Sequence, residues 1–335
     1  MDLMRAVATR AMDYPFKYRA TGAWGFGEDI CLRALLEYAA LSGDDAPRLF
    51  VEELVRPWCV SAALASALPN ADHVAPGVVL LDLYEATGDE VYLAAALKLG
   101  ELYRSFGEVD GIPVHRPDLA GLSTLIWVDC IALDAPFLAR LGDITADASW
   151  TELGVRSLHA YTAALADGAL FRHGYDVVQK RRSPCVWGRG NGWALHGLVD
   201  TLEAEPDLRA SELLAAQVAA LVGLQATGGL WHTILDDEDS PLENSTAAFY
   251  ASGVRKALRL GLLEESAELT ALVERATRAA VGATGPDGGM PISYATPVGE
   301  RATYVNAPTG VFPWGQGPLL LALTEEQAAR QGATA

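Results

Sequence analysis

A flat, negatively charged ligand is what the stretch Trp187-Gly-Arg-Gly-Asn-Gly-Trp193 could hold. Two indoles, Trp187 and Trp193, and one guanidinium, Arg189, within a single turn suit a ring that bears a carboxylate. That describes a uronic acid sugar. The apolar run Ala194–Leu202 follows at once and predicts a helix. A helix starting at Gly190 and Asn191 would aim its free N–H groups at an anion beside Arg189. Glycine also lets a backbone pass close to a ligand. A tight turn with two packed tryptophans is the competing reading of the same residues.

Asp129 is the carboxylate best suited to proton transfer. It stands in Thr-Leu-Ile-Trp-Val-Asp-Cys-Ile-Ala-Leu, where an apolar setting is expected to raise its pKa. A raised pKa suits a general acid that returns as a base. Trp127, two residues earlier, would flank it. Asp72 is the expected partner, holding the proton of Asp129 or a substrate hydroxyl; the alternative is an N-cap for the helix that follows it. Asp134, five positions beyond Asp129, points to another helix face. His173, in Phe-Arg-His-Gly-Tyr-Asp, is a site candidate; His115 is weaker and His232 weaker again. His159 and His196 fall in helices and read as packing residues. Trp24 joins the aromatic set from the loop 13–27. No HExxH, paired Cys or close carboxylate cluster points to a metal. No strand precedes Gly188–Gly192, so a dinucleotide fingerprint is rejected, and no Gly-x-Ser-x-Gly elbow occurs. No cofactor is expected.

These residues need a frame, and the frame reads as all-helical. Apolar residues recur at three- and four-residue spacing, and Ala, Leu and Glu dominate. Helices are expected over 2–12, 28–42, 47–67, 75–88, 90–105, 122–141, 147–166, 190–204, 209–226, 244–261, 264–282 and 315–331. Short turns containing Gly-Asp at 43–44, 88–89 and 142–143 stop one helix and cap the next. Longer loops occupy 13–27, 68–74, 106–121, 167–189, 227–243 and 283–314. The resulting repeat of about 55 residues predicts six helical hairpins. A closed (α/α)6 barrel is expected, with an open solenoid as the alternative. The long loops gather at one end and lead into an inner ring of 28–42, 75–88, 122–141, 190–204, 244–261 and 315–331, so the site belongs at that mouth. Nothing interrupts the pattern, and 1–335 reads as one domain.

Composition removes several classes. The formal net charge of −18 makes nucleic acid and anionic membranes poor partners. No run of about 18 apolar residues predicts a membrane span. The start, Met-Asp-Leu-Met-Arg-Ala, lacks a signal-peptide core, and Cys31, Cys59, Cys130 and Cys185 lack CxxC spacing. A cytoplasmic protein with reduced thiols is expected, as a monomer or homodimer. An acidic substrate then requires local positive charge, for which Arg189, Arg172 and His173 are the candidates.

Trp187–Trp193, Trp127-Val-Asp129 followed by Ala135-Pro-Phe-Leu-Ala-Arg140, and Phe171-Arg-His173-Gly-Tyr-Asp176 resemble the unsaturated glucuronyl and rhamnogalacturonyl hydrolases, glycoside hydrolase families 88 and 105. Softer matches are Asn70-Ala-Asp72-His-Val, Gly229-Leu-Trp-His232, Leu242-Glu-Asn-Ser-Thr-Ala247 and Trp314-Gly-Gln-Gly317. The resemblance implies an (α/α)6 barrel and a substrate whose non-reducing end is a 4,5-unsaturated uronic acid. It implies that Asp129 protonates C4 and activates the water that adds at C5. Asp72 would bind ring hydroxyls and tune Asp129, Arg189 and the helix start at Asn191 would hold the carboxylate, and Trp127, Trp187, Trp193 and His173 would wall the ring. No metal or organic cofactor is implied. The loop between His173 and Trp187 is shorter than the family pattern, and His73 and Cys130 stand at positions the pattern leaves variable. An ordinary glycosidase or sugar epimerase on the same barrel, or a sugar-binding module without turnover, are the alternatives.

Overall fold

The structure is a computed structural model and describes residues 3–14, 24–61, 73–114 and 122–332. In chain order the helices are α1 (Leu3–Met12), α2 (Phe26–Ser42), α3 (Asp45–Val60), α4 (Gly77–Thr87), α5 (Glu90–Arg104), α6 (Asp129–Leu133), α7 (Ala135–Thr145), α8 (Ala148–Leu165), α9 (Gly188–Ala204), α10 (Leu208–Leu224), α11 (Asn244–Arg259), α12 (Ala267–Ala283), α13 (Arg301–Val305) and α14 (Pro313–Gly332). Two of the Gly-Asp turns work as expected. Gly43 and Gly88 take left-handed φ of 70° and 67° and end α2 and α4, while the side chains of Asp44 and Asp89 accept from the amides of Ala46 and Val91 to open α3 and α5.

The ring closes. Helix α2 packs on α4, α4 on α7, α7 and α6 on α9, α9 on α11, α11 on α14, and α14 returns to α2. That circuit is an (α/α)6 barrel and rules out the open solenoid. The inner helices are buried nearly all round, because they face the axis on one side and the outer helices on the other. No helix among the described residues is long and apolar enough to cross a membrane.

Two expectations need correction. Residues 122–128 are not helical: Leu125–Trp127 is a strand, and the helix begins at Asp129. The inner element then breaks at Asp134, because Pro136 has no N–H and its ring crowds the carbonyl of Ala132. The pair Gly142-Asp143 is not a turn either. Helix α7 runs through it to Thr145, and the left-handed residue is Ala146, φ 53°.

The strand Leu125–Trp127 joins Gly174–Asp176 and Arg181–Arg182 in a small antiparallel sheet, with Trp127 opposite Gly174. The glycines of the 187–193 stretch serve packing, not ligand approach. A Cβ on Gly190 would stand 2.7 Å from the Trp187 ring and 2.8 Å from Val128, and one on Gly192 would stand 2.6 Å from the Cβ of Phe249 on α11. Gly192→Ala should therefore destabilise the fold by about 1–3 kcal/mol, read from the denaturant midpoint, since neither backbone can yield. An unchanged midpoint would contradict this packing role.

Candidate active site

The mouth holds a cavity of about 330 Å³, lined by Phe26 at the start of α2, Leu122, Leu125, Trp127, Asp129, His173, Trp187 and the loop Ala295–Val298. That volume is at the small end of ligand pockets, which run from about 300 to 1,000 Å³, and admits one sugar ring. Asp129 is buried at the first position of α6, and among the described residues it is the one carboxylate on the cavity wall. Its position is set by backbone pairing: the Val128 amide donates to the carbonyl of His173 (2.9 Å), directly beyond the ladder of Leu125–Trp127 with Gly174–Asp176. A Cβ on Gly174 would meet Val298 at 2.7 Å, so the glycine lets the 295–298 wall close against this sheet.

His173 is buried and its ring lies 4.3 Å from that of Trp187, tilted by 35°. The Tyr304 hydroxyl accepts from the Gly299 amide (3.3 Å) and pairs with His173 Nδ1 (2.7 Å). When the phenol donates to Nδ1, the proton of a neutral ring sits on Nε2; the reverse tautomer would donate from Nδ1 to the phenol oxygen. Burial, with the charge of Arg189 adding to it, pushes the His173 pKa down to about 3. The ring is thus a neutral hydrogen-bond donor. Two further polar atoms at the cavity are buried without a protein partner: Trp187 Nε1 and Thr296 Oγ1. Thr296, and the 295–298 loop it sits on, were missed by sequence reasoning. Nothing in Ala-Thr-Pro-Val marks it, because what places it is contact with Gly174.

Several expected site residues have other work. Arg189 is fully buried, and its two terminal nitrogens meet protein acceptors while Nε has no hydrogen-bond partner among the described residues: Nη1 donates to Ser293 Oγ (2.9 Å), the Ser293 carbonyl (3.2 Å), Ser245 Oγ (3.3 Å) and Glu243 Oε1 (3.5 Å), and Nη2 to the Tyr294 carbonyl (2.9 Å). It does not line the cavity. It bridges the start of α9 to the N-cap of α11 and to the strand Pro291–Ser293, and lies 4.7 Å from the Trp187 ring centre. It remains close enough for the Asp129 charge to act on it. Asn191 is also structural. Its Nδ2 donates to the carbonyls of Phe171 and Trp187 and its Oδ1 accepts from the Phe171 amide, each at 3.0 Å. The α9 start is not an open anion cradle, because the Gly188 amide donates to the Thr233 carbonyl (2.9 Å).

Trp193 is core: it meets Phe249 edge-on at 4.9 Å and backs Phe26 at 6.0 Å from behind the cavity wall. Trp24 packs edge-on against Trp58 and is likewise absent from the lining. Arg172 is paired with Asp167 and Asp236. His232 Nδ1 donates to the Ser240 carbonyl in its own turn, and His196 is held by Ser252 and the Phe249 carbonyl, as a packing histidine should be. Asp72 and His115 lie outside the described residues. The structure therefore brings together Asp129, Trp127, Trp187 and His173, and sends Arg189, Asn191, Trp193 and Trp24 into the framework.

A larger cavity, about 630 Å³, opens at the other end of the barrel. Its charges satisfy one another: Arg33 and Lys256 each reach Asp200 at 2.7 Å, and Arg140 reaches Asp82 at 2.6 Å. Among the described residues no aromatic side chain lines it, so these offer a sugar ring no platform.

The chain matches the model of Glycosyl Hydrolase Family 88 over residues 4–329. It is 33% identical over 290 residues to the unsaturated rhamnogalacturonyl hydrolase YesR of Bacillus subtilis (strain 168), covering 81% of this chain and 80% of that protein. Among solved structures it is similar to a possible member of the GH105 family from Salmonella enterica, with a TM-score of 0.85 and 25% identity over 98% of this chain and 93% of the other. The fold is shared with an unsaturated glucuronyl hydrolase specific for heparin, at a TM-score of 0.73 and 15% identity over 98% of both chains.

Two outcomes follow from the site geometry. Arg189→Met removes the cation beside buried Glu243, which keeps its bonds from Ser245 and the Ser293 amide, and strips Ser293 and Tyr294 of their donor; it should cost about 3 kcal/mol of unfolding free energy. A variant as stable as the wild type would show that the guanidinium is not structural. The ring shifts of His173 followed by NMR should stay flat between about pH 8 and pH 5, the interval in which an ordinary histidine gains its proton. A midpoint in that interval would contradict the neutral donor.

Proposed function

This chain belongs to glycosyl hydrolase family 88, and from that premise we propose that it releases a 4,5-unsaturated uronic acid from the non-reducing end of lyase-generated oligosaccharides by hydrating the C4=C5 bond. The observation that carries the reading is a single buried carboxylate, Asp129, on a one-sugar cavity walled by Trp127, Trp187 and His173.

In this mechanism the Asp129 carboxyl gives its proton to C4. Positive charge develops at C5 and is shared by the ring oxygen. The Asp129 carboxylate then takes a proton from the water that adds at C5. The hemiketal so formed opens, and the aglycone leaves from C1 with one water consumed. Neutral donors meet the substrate carboxylate and hydroxyls: His173 Nε2, Trp187 Nε1 and Thr296 Oγ1. Arg189 contributes its field across a poorly solvated gap instead of a direct hydrogen bond. Asp72 is the proposed partner that binds ring hydroxyls. The relationship to the rhamnogalacturonyl hydrolase of Bacillus subtilis makes an unsaturated galacturonyl-rhamnose disaccharide the first substrate to try.

The test follows the absorbance of the conjugated enoate on that disaccharide and on unsaturated glucuronyl disaccharides. The wild type should consume at least one of them, and Asp129→Asn should lower kcat by about 10²-fold or more with an unchanged melting midpoint. Activity retained in Asp129→Asn would move the proton donor elsewhere, and no loss of absorbance on any unsaturated uronide would reject the function.

A further inference from the structure

One side chain touches the chain on both sides of Asp129. His73, from the segment before α4, packs its ring edge-on against Trp127 at 4.7 Å, two residues ahead of Asp129. It also meets Cys130 and Asp134, one and five residues beyond Asp129, and the polar atoms of these three side chains lie within 4.8 Å of one another. Cys130 and Asp134 are one helical turn apart, so they share a face of α6 and its C-terminal cap. All three residues are buried, and the His73 and Asp134 side chains have no exposure at all. None of the three lines the sugar cavity.

Charge turns these contacts into a grip. Burial works against a proton on the His73 ring, but Cys130 and Asp134, by charge and by hydrogen bonding, outweigh it and hold the pKa well above the ordinary histidine value. The imidazolium offers two N–H donors to two neighbours. It forms an ion pair with Asp134, Nδ1 to Oδ2 at 3.6 Å. His73 is itself well anchored. Its backbone is left-handed, φ 51°, which a residue with a side chain keeps only when its surroundings hold it there. The start of α4 just beyond it is packed without slack: a Cβ on Gly77 would stand 2.6 Å from the Phe137 ring on α7. Helix α6, by contrast, has five residues, too few to keep a helical shape unaided. The bond from the Val128 amide secures its front end, and His73 secures the turn that follows.

We propose that His73 is a positioning residue for Asp129, holding the chain before and after it through Trp127, Cys130 and Asp134. The inference rests on Asp129 being the proton donor of the function proposed above, so its test pairs a readout that needs substrate with one that does not. Cys130 separates a grip from simple packing. A buried cysteine that only fills space is replaced better by alanine than by serine, because it behaves as a small apolar group. A cysteine held by His73 is replaced better by serine, which keeps an acceptor. Kinetics are measured well below each variant's melting midpoint, on an unsaturated disaccharide that the wild type consumes. Cys130→Ala and Asp134→Asn should each lower kcat roughly tenfold or more with KM changed less than about threefold, since a misplacement of about 1 Å can cost about 10²-fold. Cys130→Ser should recover most of that loss. Amide exchange over residues 128–134, read by mass spectrometry, should quicken about tenfold in Cys130→Ala and stay near the wild type in Cys130→Ser, with exchange in α12 unchanged in both. If Asp134→Asn does not fold, the two Cys130 variants decide alone. Cys130→Ala that equals or surpasses Cys130→Ser in kcat overturns the proposal, whatever the exchange shows, because a clasp without effect on kcat does not position Asp129. Wild type that consumes no unsaturated uronide rejects the function itself; exchange then decides whether His73 holds α6, and equal rates in the two Cys130 variants would show that it does not.

Discussion

One backbone hydrogen bond, from the Val128 amide to the His173 carbonyl, sets the geometry of the candidate site. It extends the ladder between Leu125–Trp127 and Gly174–Asp176 by one rung, at the point where strand gives way to helix. On one side it fixes the residue before Asp129. On the other it fixes His173, whose ring rests on Trp187 at the start of α9. Three segments far apart in sequence are thereby held around one sugar-sized space, and the barrel behind them keeps them from drifting.

The barrel's contribution is rigidity at low cost in polar groups. Every inner helix starts near the mouth, so the loops that wall the cavity leave from well-packed ends. The Arg189–Glu243–Ser293 knot shows how that end is secured. A guanidinium buried among Glu243, Ser245, Ser293 and Tyr294 draws α9, α11 and the strand Pro291–Ser293 together. Its charge is still felt in the cavity, where it helps keep His173 neutral. A residue that looks made for a ligand thus acts on the site through the framework and through its field.

Much of the frame was legible because its signals are local. Gly43-Asp44 and Gly88-Asp89 stop and restart helices within four residues, and alternating loop lengths give the ring. The stretch Leu125–Val128 was misread because a short apolar run has no period that separates strand from helix. The left-handed Ala146 could not be found, since no residue-type rule places alanine there. Within the site, Asp129, Trp127, Trp187 and His173 were legible from type and context. The framework bonds of Arg189 and Asn191 were not legible because their partners are remote: Glu243 and Ser293 lie 54 and 104 residues on, and Phe171 is 20 residues back. Thr296 was missed for the same reason, being brought in by the fold and not by a motif.

The central claim is that Asp129 drives addition of water across a double bond and that the aglycone leaves only when the hemiketal opens, with no attack at the anomeric carbon. An unsaturated uronide joined to its aglycone through sulfur tests it most directly, because ordinary glycosidases cleave such a bond poorly while hydration at C4=C5 is indifferent to it. The account predicts that the enzyme erases the enoate absorbance of the S-linked analogue at a rate comparable to the O-linked one, and that Asp129→Asn does not. Consumption of the O-linked substrate alone, with the S-linked analogue left intact, would contradict it.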